Sequence, residues 1–342
     1  MTSIRPPHVG TSMVGRSSST ARLIADCGVS AADIRSFFRH PGFLTAEGVT
    51  HTLHLWDGRG EARIPLVVRP IPGSDLLDAV SPYGYPGAGV DGAAIDPGLM
   101  DLSGLGLVSV FVRDVVPAPA LAGGLAQSIV RLHDPAAPRR LGKSFRRAVR
   151  RCTDAGYRVE VTPGQDVPDG VLDRFHDVYL RTMDRRDAKS RYRFDRTYLR
   201  ECLATGLTWL VHAADAHGAL AAGDLVVRSD DVLHSLLFGT HDDHLPASPG
   251  KLVTVRDLDL ADELGTPFNV GGGLAAGDGL DRSKLAYCNA SSTYVCHHLV
   301  CDPEAYRRLS GDAGESRFFP AYRASRSGST ASRAKIHRNR VS

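Results

Sequence analysis

The chain has 342 residues, 42% hydrophobic and 23% charged, a balance that excludes global disorder and, at about 150 residues per domain, leaves room for two cores. Its net charge of +3 comes from the end of the chain, since residues 317–342 hold seven basic groups and no acidic one; the body is net acidic and no generic polyanion binder. No stretch reaches the ~18 apolar residues of a spanning helix, the polar N-terminus lacks a signal-peptide core, and the six cysteines form no CxxC pair, which points to a cytoplasmic protein with reduced thiols and no zinc site.

In chain order, Ser30 is placed to cap a helix over 31–39, followed by strands near 49–56 and 61–69. A turn-rich loop, Ser81-Pro82-Tyr83-Gly84-Tyr85-Pro86-Gly87, comes next, then strands at 107–113 and 127–133 and a helix from about 138 to 154. The second half reads as helices at 169–184 and 195–205, strands at 208–214, 220–228 and 232–240, a helix at 248–264, and strands at 267–270 and 292–300. A last helix over 302–309 starts on Asp302 as cap and Pro303 at its first position. Asp57-Gly58-Arg59-Gly60 and Asp215-Ala216-His217-Gly218 each join two strand-like runs, the second of which ends Leu-Val-Val-Arg. That recurrence predicts two hairpins in two similar mixed α/β units. The expected division is a flexible segment 1–27, units at 28–155 and 156–312, and a basic, disordered tail at 313–342.

Three segments are candidates for chemistry. At about 100° per residue, Lys143, Arg146, Arg147, Arg150 and Arg151 fall within an arc of roughly 140° on one helix face, opposite Phe145, Ala148, Val149 and Cys152. Such a stripe either meets a phosphate-bearing ligand or is a solvated face balanced by the acidic body. Tyr83 and Tyr85, on a loop stiffened by two prolines, are suited to line an acceptor pocket. Gly271, Gly272 and Gly273 permit close backbone approach to a ligand, with Lys284 following as a mobile cation. His241/His244 and His297/His298 invite a metal reading, but the second pair sits on a strand where neighbours face opposite ways, so no metal site is expected. No G-x-S-x-G elbow is present, which disfavours a covalent hydrolase.

The S-P-Y-G-Y-P-G loop, the R-R-A-V-R-R helix (residues 146–151) with Gly156 beyond it, Tyr179-x-x-Thr182-x-x-Arg185 with Tyr192-x-Phe194, the G-G-G segment and G-L-D-R-S-K (residues 279–284) occur in that order. Together they resemble the FemABX aminoacyl-tRNA-dependent transferases, over roughly residues 45–310. The resemblance implies two tandem acetyltransferase-like (GNAT) domains with a cleft between them, and transfer of an amino acid from its tRNA ester to an amine of a small peptide or peptidyl-nucleoside acceptor. It implies no cofactor and no membrane partner. Lys284 matches the family's lysine and is the implied catalytic residue. Tyr83, Tyr85, Tyr179 and Arg185 are implied on the acceptor side, and the arginine stripe and the three glycines on the donor side. Ser283 departs from the usual aromatic before the lysine, and there is no room for the helical-hairpin arm of some relatives. Such compact forms include enzymes that add an amino acid in peptidyl-nucleoside antibiotic pathways.

An aminoacyl ester is already activated, so the reaction needs a neutral amine held against the carbonyl and a cation or N–H groups at the developing oxyanion. Two other functions fit the same residues. An acyl-CoA-dependent N-acyltransferase is one, although Ser248-Pro249-Gly250-Lys251 is not an R-x-x-G-x-G/A pyrophosphate loop. A non-catalytic nucleic-acid-binding protein using the arginine stripe is the other.

Overall fold

The computed structural model describes residues 19–272, 277–311 and 318–324. In chain order it contains β1 (Thr20–Ile24), α1 (Pro41–Ala46), β2 (His51–Trp56), β3 (Gly60–Pro70), β4 (Leu77–Val80), β5 (Gly89–Gly92), β6 (Ser109–Arg113), β7 (Leu125–His133), α2 (Lys143–Asp154) and β8 (Arg158–Pro163). These are followed by α3 (Asp169–Arg185), α4 (Arg196–Ala204), β9 (Thr208–Ala214), β10 (Leu220–Ser229), β11 (Val232–Thr240), α5 (Gly250–Leu264), β12 (Phe268–Asn269), α6 (Gly279–Lys284), β13 (Ala290–Val300) and α7 (Pro303–Ser310).

Local chemistry accounts for the sharpest boundaries. Both D-x-x-G segments close hairpins: the Asp57 carboxylate accepts the N–H groups of Arg59 and Gly60 at 2.9 Å, and Asp215 accepts those of His217 and Ala219 at 2.9 Å. The side chain thereby satisfies further N–H groups of the turn beside its backbone bonds. Asp195 caps α4 through the Tyr198 N–H at 2.8 Å, and Asp302 caps α7 through Ala305 at 2.9 Å, with Pro303 at the first turn.

The helix expected over 31–39 is replaced by two 3-10 turns, Val29–Ala31 and Phe37–Arg39, and the α-helix begins only at Pro41. Ser30 is no cap, because its own N–H and hydroxyl donate to Asp26, and the Asp33 N–H turns back to the Arg39 carbonyl at 2.9 Å. On this irregular path both Phe37 and Phe38 are buried.

All strands join one mixed sheet in the order β1-β2-β3-β4-β6-β13-β7-β12-β11-β10-β9-β8, with β5 attached to β3. From either end the pattern is the same: four antiparallel strands, one parallel neighbour, then an antiparallel strand at the centre. The two central strands are exchanged, since β13 pairs with β6 and with β7, and β7 also pairs with β12. The strand that ends the second half of the sequence therefore completes the ladder of the first half. Each parallel contact holds only two registered pairs, Ala79↔Val110 and Val80↔Phe111 in one case and Leu233↔Phe268 and His234↔Asn269 in the other. Beyond those pairs the strands part, leaving one opening in each half.

The cores also cross the sequence midpoint. Phe37, Phe38, Phe43 and Leu44 are buried with Leu172, Phe175, Leu199 and Leu225 of α3, α4 and β10. Residues 318–324, within the stretch assigned to the tail, pack back on the first half: Ala321 is buried and the Tyr322 hydroxyl lies 2.7 Å from that of Ser109. No helix among the described residues is long and apolar enough to cross a membrane.

Candidate active site

The opening between β11 and β12 forms a cavity of about 280 Å³, lined by Ser235 and Leu236, Val270 and Gly271, the Tyr83–Tyr85 loop and Arg113. A bulge sharpens the parting of the strands. Val226 faces Ser235 while Leu225 faces Leu237, so Leu236 is the extra residue on β11, and a bulge of this kind bends its strand and re-aims the neighbouring groups.

The tyrosine loop is fixed from three sides. Gly84 has a φ of 86°, and a Cβ there would come within 2.1 Å of the Phe38 ring, so only glycine lets the loop lie against that phenyl. The Tyr83 N–H donates to Glu47 at 2.8 Å, and Glu47 in turn accepts the Tyr198 hydroxyl at 2.8 Å. Tyr85 stacks on His234, with ring centroids 5.3 Å apart. The His234 Nδ1 accepts from Asn269 Nδ2 at 3.1 Å, and burial pushes His234 down to about 4, so it stays neutral and orients rather than takes protons. Burial also raises both phenols, Tyr83 to about 12. Both phenols therefore stay protonated near neutral pH.

Lys284 is the last residue of α6. That helix is capped by Asp278, which accepts the Asp281 N–H at 2.7 Å, and is anchored to β7 by the Asp281–Arg131 pair at 2.7 and 3.0 Å. The side chain is buried, and its Nζ donates to the Gly272 carbonyl at 2.7 Å. A Cβ built on Gly271 would sit 3.5 Å from this Nζ and 3.9 Å from the Tyr85 hydroxyl. Gly271 itself has a φ of 70° and donates to Asn269 at 2.8 Å. Lysine, tyrosine and glycine thus meet at one point. Burial lowers the lysine's affinity for its proton.

Two acids lie behind this point, and both escaped the sequence reading. Asp224 on β10 and Asp257 on α5 are each 1% exposed, and each keeps a buried Oδ1 with no hydrogen-bond partner. Burial raises both; the Asp224 charge raises Asp257 further, while the Ser235 hydroxyl and the Lys284 ammonium hold Asp224 down. A charged residue amid the apolar run of 220–227 was the available signal.

On the far side of α6 lies a cavity of about 670 Å³ lined by Ser144 and Phe145 of α2, Gly250 and Lys251 at the start of α5, and Arg282, Ser283 and Tyr287 around α6. Phe145, Ala148 and Cys152 of α2 are buried, whereas Lys143, Arg146, Arg147, Arg150 and Arg151 are exposed. None of these five has a carboxylate partner among the described residues. None of the five lines the cavity, whose α2 wall is Ser144 and Phe145; the stripe is the solvent-facing side of the same helix.

Other expected residues lie elsewhere. Tyr179 is buried outside the cavity, its hydroxyl donating to the Tyr192 carbonyl. Arg185, at the end of α3, pairs with Asp242 and donates to the Thr240 carbonyl at 3.1 Å, so it is engaged away from the tyrosines. Gly272 has a packing reason, since a Cβ there would lie 2.6 Å from the Ile129 carbonyl oxygen. Gly273 lies outside the described residues. His244 is bonded to the Tyr157 hydroxyl at 2.8 Å and His297 to Asp114 at 2.9 Å.

Residues 139–274, which span β8–β12 with α2–α5, match the acetyltransferase (GNAT) domain family. No curated protein matches the chain. Among solved structures the chain is similar to FemX, at 11% identity and a TM-score of 0.52, over 75% of this chain and 89% of that one. It is also similar to L-PGS from Bacillus licheniformis (14%, TM-score 0.51, 77% and 87% covered). The C-terminal domain of a putative lysylphosphatidylglycerol synthetase from Agrobacterium fabrum gives 13% and 0.52 over 79% and 89%. At these identities the likeness is one of fold. The chain thus shares the fold of these structures, with the acetyltransferase (GNAT) match lying in residues 139–274.

Proposed function

We propose that this GNAT-fold chain is an aminoacyl-tRNA-dependent transferase that forms an amide between an amino acid and an amine of a peptide or peptide-like acceptor. The observation that carries the reading is the place of Lys284: its buried Nζ donates to the Gly272 carbonyl beside Gly271 and Tyr85, which line the smaller cavity, while Arg282 and Ser283 of the same helix line the larger one.

In this reading the donor's terminal nucleotide and acyl ester enter the larger cavity, with the preceding phosphates along Arg147 and Arg151. The acceptor amine approaches from the side of Tyr83 and Tyr85. Its nitrogen attacks the ester carbonyl, and the Lys284 ammonium balances the charge that develops on the carbonyl oxygen. Collapse of the tetrahedral species breaks the bond to the ribose oxygen, which takes up the proton lost by the amine. Asp224, close behind, favours the charged form of Lys284 when it is itself ionised, against the burial that lowers the lysine.

An acyl-CoA donor is the competing reading of the same fold, so the donor is the point to test. Separately labelled aminoacyl-tRNA and acyl-CoA pools, each offered with a mixture of amine acceptors, should give labelled amide from the tRNA pool. Label moving only from acyl-CoA would overturn the assignment.

A further inference from the structure

The opening in the first half, between β4 and β6, is the positional counterpart of the β11–β12 opening and holds a cavity of about 600 Å³. Its walls differ in kind: Arg69, Arg113, Arg191 and Arg323 line it, together with the flat His298–Phe319 stack, whose centroids are 4.4 Å apart. Arg69 and Arg323 share one carboxylate, the fully buried Asp78, at 2.9 and 2.5 Å. Arg113 donates to the Ser81 carbonyl at 2.8 Å and Arg191 to the Tyr192 hydroxyl at 2.9 Å. Neither has a carboxylate partner among the described residues. Four guanidinium groups thus converge on one cavity with a single acid to balance them.

Guanidinium groups gathered in a partly enclosed site repel one another, and their forked N–H donors match oxyanions in a way that water or carbonyl groups do not. Arg113 also lines the tyrosine cavity, so the two spaces adjoin at this residue. We propose that the arginine cavity seats an oxyanionic group of the acceptor, phosphoryl or carboxylate, while its amine reaches past Arg113 to Tyr85 and Lys284. The parallel-strand opening of the first half thereby serves as an anchor for the nucleophile's substrate, and its counterpart in the second half serves transfer. The inference rests on the proposed acyl transfer for its link to the amine, but the anion site stands or falls by itself.

The test is binding without turnover. Inorganic pyrophosphate and glutarate are titrated calorimetrically into the full chain, into Arg191→Gln and Arg113→Gln, and into the α2 double variant Arg147→Gln/Arg151→Gln. At least one probe should bind, weaken 10-fold or more in each cavity variant, and bind the α2 variant as tightly as the parent. Tighter pyrophosphate binding assigns a phosphoryl group and tighter glutarate binding a carboxylate. Arg191 is exposed on a short turn, so its variant reports on the anion even if Arg113→Gln misfolds. Absence of binding by both probes, equal affinity in the Arg191 variant, or loss confined to the α2 variant would overturn the anion site. A chain that binds the probes as expected but transfers nothing from aminoacyl-tRNA would retain the site and lose the donor assignment instead.

Discussion

A lysine buried beside two acids has consequences that can be measured. Because burial lowers its proton affinity, Lys284 loses its charge at a lower pH than an exposed lysine. If that charge stabilises the oxyanion, kcat should fall on the alkaline side with an apparent pKa below the ordinary lysine value of about 10.4. Lys284→Arg should move that limb beyond the measurable range, even with a lower plateau; an unmoved limb would assign it to another group. Asp224 behaves oppositely. Its carboxyl is raised by burial, so the folded state holds a proton that the unfolded chain has released. Stability is greatest below the unfolded value of about 4 and declines as pH rises toward the raised folded value. Asp224→Asn should reduce that decline, by roughly 1.4 kcal/mol per unit of displaced pKa. Melting temperatures at pH 5 and pH 8 give the comparison, and parallel losses in parent and variant would rule this role out.

At the scale of elements, α2 and the tyrosine loop make separate predictions. Arg147→Ala with Arg151→Ala should weaken donor-RNA binding and lower its log–log salt slope by about one for each lost phosphate contact; an unchanged slope would leave the stripe as a solvated face. Gly84→Ala combines a φ of 86° with a Cβ 2.1 Å from Phe38, and should raise the acceptor KM more than it lowers kcat, because it displaces Tyr83 and Tyr85 without touching Lys284. Both elements were legible in the sequence, one through its 3.6-residue periodicity and the other through its prolines and glycines. The hairpins were legible for the same kind of local reason, an aspartate placed to cap a turn. What local pattern does not encode is which strand lies beside which. The run at 292–300 reads as an ordinary strand of the second half, and only the register with β6 and β7 shows the exchange. The convergence of Arg69, Arg113, Arg191 and Arg323 is invisible for the same reason, since these residues are scattered over some 250 positions of the chain.

For the whole molecule, the exchanged central strands and the core shared between residues 37–44 and α3–α4 couple the two halves. Unfolding should be a single transition, with ellipticity and aromatic signals superimposable; two resolved transitions would show independent halves. In the proposed reaction the same coupling keeps α6, which carries Lys284, beside both cavities. The most direct test is single-turnover transfer from saturating aminoacyl-tRNA in the parent chain and in Lys284→Ala. Removing a group that acts only in the transition state should slow the step by about 10²- to 10³-fold with donor affinity nearly intact. Transfer at the full parental rate once the donor saturates would contradict the assignment and leave Lys284 a binding residue.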